Sequence, residues 1–134
     1  MGSHDLAIWA RDFLAAVTEQ DRDRLRGFFC PETVVHWPNT DEKFDLEDYL
    51  TANCEYPGRW RGQFLRAEKT DTGAVVAARI WEDGGPSFHV VSFFHFDRAG
   101  RIAEMTEFWG DDSPPPRWRQ ELGLGRNHRE KTEG

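Results

Sequence analysis

Apolar residues recur at helical spacing in the first part of the chain and at a spacing of two, or in short runs, after Trp60. In DLAIWARDFLAAVTEQ, Leu6, Trp9, Phe13 and Val17 share one helical face, and Ala10, Ala15 and Ala16 favour helix. The spacing predicts a helix over 5–20 with Asp5 as its N-cap. Asp21 caps a second, short helix that ends near Gly27 and buries Leu25, Phe28 and Phe29. Pro31 ends helical structure, and 33–37 reads as a short strand. Asp45 caps a third helix with Leu46, Tyr49, Leu50 and Asn53 on one face, and EYPGRW turns at Pro57-Gly58.

The second half predicts strands over 60–69, 74–82, 87–97 and 101–109, joined by turns at Asp71-Thr72-Gly73, Asp83-Gly84-Gly85-Pro86 and Asp97-Arg98-Ala99-Gly100. Consecutive turn-linked strands make an antiparallel meander, and helices followed by such a sheet give an α+β fold with the helices on one face. The Asp-x-x-Gly turn suits a left-handed bulge at Gly100, which sets Asp97 opposite Arg101 and Val91 opposite Glu107. His89, Val91, Phe93, His95, Met105, Glu107 and Trp109 would then share a face. A two-residue loop would instead group Glu107 with Val90, Ser92 and Phe94.

Composition narrows the class. A chain of 134 residues suits one domain with a real core. Ten Phe and six Trp mean that a few aromatic residues supply much of the buried area. A net charge of −7 argues against a nucleic-acid partner, which needs a basic stripe. No apolar run is long enough for a membrane span, and the N-terminus has no secretory apolar region. Met1-Gly2-Ser3-His4 looks like a cloning leader; 5–120 reads as the single domain and 121–134 as a loose charged tail. Cys30 and Cys54 form no Cys-x-x-Cys pair and read as reduced thiols of a cytoplasmic protein. No metal-ligand spacing, phosphate loop or nucleophile motif occurs, so neither a metal nor another cofactor is expected.

HVVSFFHFDRAGRIAEMTEFWGD carries an aromatic strand, an Asp-x-x-Gly turn, an Ile and an acid-aromatic-aromatic ending. It resembles the hallmark of SnoaL-like proteins of the NTF2-like superfamily. HWPNT, ANCEYPGRW and PPPRWR are similar to stretches of one uncharacterised subgroup. The resemblance covers roughly 5–120, the span of the predicted packed elements. It implies a cone of three helices on a curved sheet, a pocket between them holding acid or base residues, and often a homodimer through the outer sheet face. The superfamily includes isomerases, dehydratases, epoxide hydrolases, cyclases and non-catalytic adaptors, so the fold does not select the reaction.

Glu107, between Met105 and Trp109 along one strand face, is the leading candidate acid, because apolar neighbours strip its hydration. The plain alternative is a sheet-edge carboxylate paired to Arg79. His36 is the candidate partner of Glu107, and His36 and Trp37 must point to opposite faces. Arg79, Asn53, Trp37, Tyr56, His89, Trp60 and Trp109 complete the candidate ligand-binding set. An epoxide-hydrolase-like arrangement would place Asp two residues after Arg79; Trp81 stands there, which disfavours that chemistry. The expectation is a cofactor-independent acid–base enzyme of isomerase, dehydratase or cyclase type acting on a hydrophobic small molecule. The alternatives are a non-catalytic binding module and a dimeric interaction protein whose pocket is filled by Trp37, Trp60 and Trp109.

Overall fold

The computed structural model describes residues 2–128. Met1 of the expected leader and 129–134 of the expected tail lie outside the described residues. The helices are α1 (Ser3–Glu19), α2 (Arg22–Arg26), α3 (Leu46–Cys54) and a short α4 (Arg117–Glu121). The strands are β1 (Phe29–Trp37), β2 (Glu42–Phe44), β3 (Arg61–Lys69), β4 (Gly73–Trp81), β5 (Ser87–Phe96) and β6 (Ile102–Asp111).

α1 buries Leu6, Ala10, Phe13, Ala16 and Val17, the stripe that helical spacing demands. It begins before Asp5, with Gly2 as N-cap and no side-chain cap, so the expected Asp5 cap is corrected. Asp21 and Asp45 do cap their helices, accepting from the backbone N–H of Arg24 at 3.2 Å and Asp48 at 2.9 Å. Trp9, half-buried, packs edge-on against Phe28, Phe94 and Phe96. α1 crosses β3 at Gly62, where a Cβ would lie 2.9 Å from the Leu14 side chain, so only glycine permits that approach.

One sheet runs in the order β2-β1-β6-β5-β4-β3. The meander is β3 to β6, as expected. β1 joins it in parallel with β6, and β2 adds an edge that alternation over three residues could not announce. β1 starts at Phe29, before Pro31. Pro31 sits in the irregular stretch between the pairings of Phe29 and Val34, where its missing N–H costs no ladder bond.

The register of the last two strands corrects the sequence reading. The Asp-x-x-Gly turn forms as expected: Gly100 has φ 81, and the Asp97 N–H donates to the Arg101 carbonyl at 2.8 Å. A second bulge follows at Ala103, between the pairs Phe96–Ile102 and His95–Glu104, and it shifts the register back by one. Its cause is burial. Ile102 and Met105 are three residues apart, have opposite parity on a regular strand, and are both fully buried; only an extra residue between them lets both face the core. Glu107 therefore pairs with Ser92 and shares the inner face with Val90 and Phe94, while His89, Val91, Phe93 and His95 face outward.

Candidate functional site

The helices cover the inner sheet face and leave its end open. Two side chains brace that mouth. The Gln20 amide, at the left-handed end of α1, donates to the carbonyls of Asn53 at 2.8 Å and Tyr56 at 2.7 Å. Asn53 returns a bond from its amide to the Val17 carbonyl at 3.1 Å. Asn53 is thus a clamp between α1 and α3 as well as a wall. Gln20→Ala removes two bonds at a half-buried position and is expected to cost about 1–2 kcal/mol in urea unfolding.

On the other side, β1 ends at Trp37 and a single 3-10 turn, Pro38–Thr40, folds back. The Asn39 side chain in that turn accepts from the Trp109 backbone N–H at 3.1 Å, fixing the turn to β6. Between the two sides lies a cleft of about 340 Å³ walled by Trp37, Ala52, Tyr56, Phe88 and Trp109, with Asn39, Thr40, Glu42, Asn53 and Asp111 as its polar groups. Trp60 supports this wall, stacked on Tyr56 at 5.1 Å between ring centroids.

Glu107 lies behind that wall, only 4% exposed. β1 and β6 pair in parallel with Val35 beside Met105 and His36 beside Thr106, so Trp37 falls next to Glu107. The Trp37 indole N–H donates to Glu107 Oε1 at 3.1 Å, and the Ser92 hydroxyl donates to Oε2 at 2.6 Å. Burial pushes the Glu107 carboxyl above the usual glutamate range, against the pull of its donors Ser92, Trp37 and Trp109. The Trp109 indole N–H lies near enough to lower the carboxyl pKa, but it falls short of hydrogen-bond geometry and has no other partner among the described residues. Burial, then the negative charge of Glu107, then Cys54, holds the Tyr49 phenol well above its ordinary value, so Tyr49 stays neutral. The space beside Glu107 inside the cone is about 20 Å³, and Trp109 borders both it and the cleft.

The structure brings Glu107, Trp37 and Trp109 together and collects Asn53, Tyr56 and Trp60 around the mouth. It does not bring His36 to Glu107. His36 faces outward and pairs through Nε2 with Glu104 Oε2 at 2.8 Å, because adjacent strand residues alternate faces and the bulky Trp37 takes the inner position. The expected His36–Glu107 pair is corrected on that ground. His36→Ala is expected to change stability by less than about 1 kcal/mol in urea unfolding, as for a half-exposed polar contact.

Arg79 and His89 are likewise on the outer face, paired with each other across β4 and β5. Arg79 lies over the Trp81 ring at 4.6 Å and reaches Asp112 at 3.5 Å. Asp112 also accepts from Ser87 and contacts His89 Nδ1. Burial pulls the Asp112 carboxyl up, but Ser87, His89 and Arg79 together hold it below the usual aspartate range. Neither Arg79 nor His89 reaches the pocket, so their expected ligand-binding roles and any Arg79–Glu107 pair are corrected. Gln20, Asn39 and Ser92 were not singled out from sequence. Ser92 follows once the Ala103 bulge is placed, and that bulge is signalled by the Ile102/Met105 spacing.

No family model matches the chain, and no curated protein matches it significantly. Solved structures do. One from Kribbella flavida, named "putative ketosteroid isomerase", is 23% identical, covers 93% of this chain and 91% of its own, and superposes with a TM-score of 0.74. An NTF2-like protein of unknown function from Burkholderia xenovorans is 16% identical over 94% of this chain and 100% of its own, with a TM-score of 0.72. An LEH-like epoxide hydrolase from M. tuberculosis is 16% identical over 75% of this chain and 79% of its own, with a TM-score of 0.60. Likeness at this level establishes the fold: the chain is an α+β, NTF2-like cone with a helical N-terminus on a six-stranded curved sheet.

Proposed function

We propose that the chain is a cofactor-independent acid–base enzyme that takes a largely hydrophobic small molecule at the mouth of the cone and moves a proton with Glu107. The observation that carries this reading is one carboxyl buried behind the same two indoles, Trp37 and Trp109, that wall the open cleft. A desolvated carboxyl with a raised proton affinity is a better proton carrier than an exposed glutamate. Each of its oxygens accepts one hydrogen bond and keeps a second lone pair for a substrate proton. Isomerisation, dehydration and cyclisation all need such a group and no electron carrier. A similar structure bearing a ketosteroid isomerase name supports the first of these. Epoxide hydrolysis fits poorly, since Arg79 points away from Glu107 and Trp81 follows it at the critical spacing.

A non-catalytic binding module is the second reading. It is favoured by the 20 Å³ of space beside Glu107, which admits no substrate unless Trp109 or its neighbours move. A thermal-shift ligand screen followed by hydrogen–deuterium exchange into each hit in D2O decides between them. Exchange catalysed by the wild type and lost in Glu107→Gln supports the enzyme. Hits that bind both proteins equally and exchange in neither favour the binder. Exchange undiminished in Glu107→Gln sinks Glu107 as the proton carrier.

The proposal extends to a cytoplasmic homodimer. The free thiols Cys30 and Cys54 support a reducing compartment. Phe93 and Phe108, 47% and 45% exposed and packed edge-to-face on the outer sheet, support pairing through that face. Among the described residues, no helix is long and apolar enough to cross a membrane.

A further inference from the structure

We propose that the ligand of the mouth cleft is an organic cation, an ammonium or quaternary amine carried on an apolar body. This rests on the reading of the cleft as the ligand site and adds the charge of what enters it. The walls are the rings of Trp37, Tyr56, Phe88 and Trp109, and the charged groups on the lining are the carboxylates of Glu42 and Asp111. Among the described residues, no Lys, Arg or His lines the cleft. Ring faces carry negative quadrupoles, so aromatic walls and carboxylates together make one field that favours a cation and repels an anion.

The two carboxylates are also uncommitted. Glu42 accepts only the Thr40 hydroxyl, at 2.6 Å, and Asp111 forms no ion pair among the described residues. Lys43, the basic residue next to Glu42, pairs across the strands with the outward-facing His36, so it does not neutralise the cleft. The basic side chains of the outer face point elsewhere: Arg79 and His89 contact Asp112, and His36 contacts Glu104. Some of the cleft's side-chain donors are used internally: the Asn53 amide bonds the Val17 carbonyl, and the Thr40 hydroxyl bonds Glu42. A surplus of acceptors facing aromatic walls is complemented by a positively charged ligand. A ligand carboxylate or phosphate would find no cation there among the described residues.

The test is an NMR titration of the full chain, following the indole N–H signals, with benzyltrimethylammonium and with neopentylbenzene, its neutral carbon isostere. The cation is expected to shift the Trp37 and Trp109 signals and to bind about tenfold or more tighter than the isostere, the scale of a partly desolvated cation–π site. The exposed double substitution Glu42→Gln with Asp111→Asn is expected to weaken the cation about tenfold and leave the isostere unchanged. An isostere that binds the same indoles as tightly as the cation, or a double variant that keeps full cation affinity, overturns the charge assignment while leaving the cleft as a ligand site. Failure of both probes to shift Trp37 or Trp109 overturns the assignment together with the reading of the cleft.

Discussion

Glu107→Gln is expected to abolish proton transfer and, at the same time, to make the protein more stable at pH 8. Removing a positioned general acid or base costs about 10²–10⁴-fold in rate. The stability gain follows from where the carboxyl sits. Burial raises its folded-state pKa above that of the unfolded chain, so the folded protein holds this proton more tightly. Stability then falls as pH rises, from the unfolded glutamate value up through the raised folded value, because the unfolded chain binds fewer protons across that window. Above the window the folded protein carries a buried charge with hydrogen-bond donors but no cationic partner among the described residues. Glutamine keeps the shape, accepts from Trp37 and can donate to Ser92, whose hydroxyl turns round. The variant should exceed the wild type by about 1–3 kcal/mol at pH 8, the scale for an incompletely compensated buried polar group. The gap should close as pH falls below the window. Urea unfolding at pH 8 and at about pH 3.5, below the unfolded glutamate value, measures both. A variant less stable than wild type at pH 8 would mean that the bonds from Trp37 and Ser92 outweigh desolvation, and that Glu107 is a structural carboxylate.

The same residue shows how far the sequence carried. Its burial was legible from Met105 and Trp109 on either side, and its chemistry from an acid in apolar company. Its neighbours depended on the register. The Asp-x-x-Gly turn is legible, yet one further bulge at Ala103 cancels its offset and inverts the face of every residue in β5 relative to Glu107. Alternation is a parity signal, and parity is lost when an unseen residue is inserted. The parity conflict between Ile102 and Met105 was the available clue. β3 repeats the lesson: its register shifts between Phe64 and Arg66, leaving Leu65 exposed while Phe64 and Ala67, also three apart, both pack on the core. The pairing of β1 with β6 could not be read at all, since a parallel contact seventy residues apart leaves no local pattern. It is that pairing which seats Trp37 on Glu107 and turns His36 outward. The α1–α3 brace through Gln20 and Asn53 was illegible for the same reason: each is an ordinary polar residue at a helix end until the other helix arrives.

Trp109→Ala is expected to have the largest effect on the pocket itself. The indole packs edge-on against Trp37 at 6.2 Å and Phe88 at 6.1 Å between centroids. It borders the outer cleft, the 20 Å³ space beside Glu107 and a third space of about 50 Å³ toward Trp60. Its loss should cost about 3 kcal/mol, the low end for a core aromatic because the side chain is only partly buried. The three spaces would then join, and water would reach the carboxyl. Hydration reverses the main cause of the raised Glu107 pKa, so the fall of stability with pH should weaken in this variant even though its stability is lower throughout. Trp109→Phe separates the two roles of the residue. It keeps most of the barrier and removes the indole N–H that holds the carboxyl down, so the Glu107 pKa should rise further and the pH dependence should steepen. Opposite changes in the two variants would establish Trp109 as the barrier between the cleft and the acid. If the alanine variant keeps the wild-type pH dependence, water already reaches Glu107 around the indole, and substrate access to the acid does not require Trp109 to move.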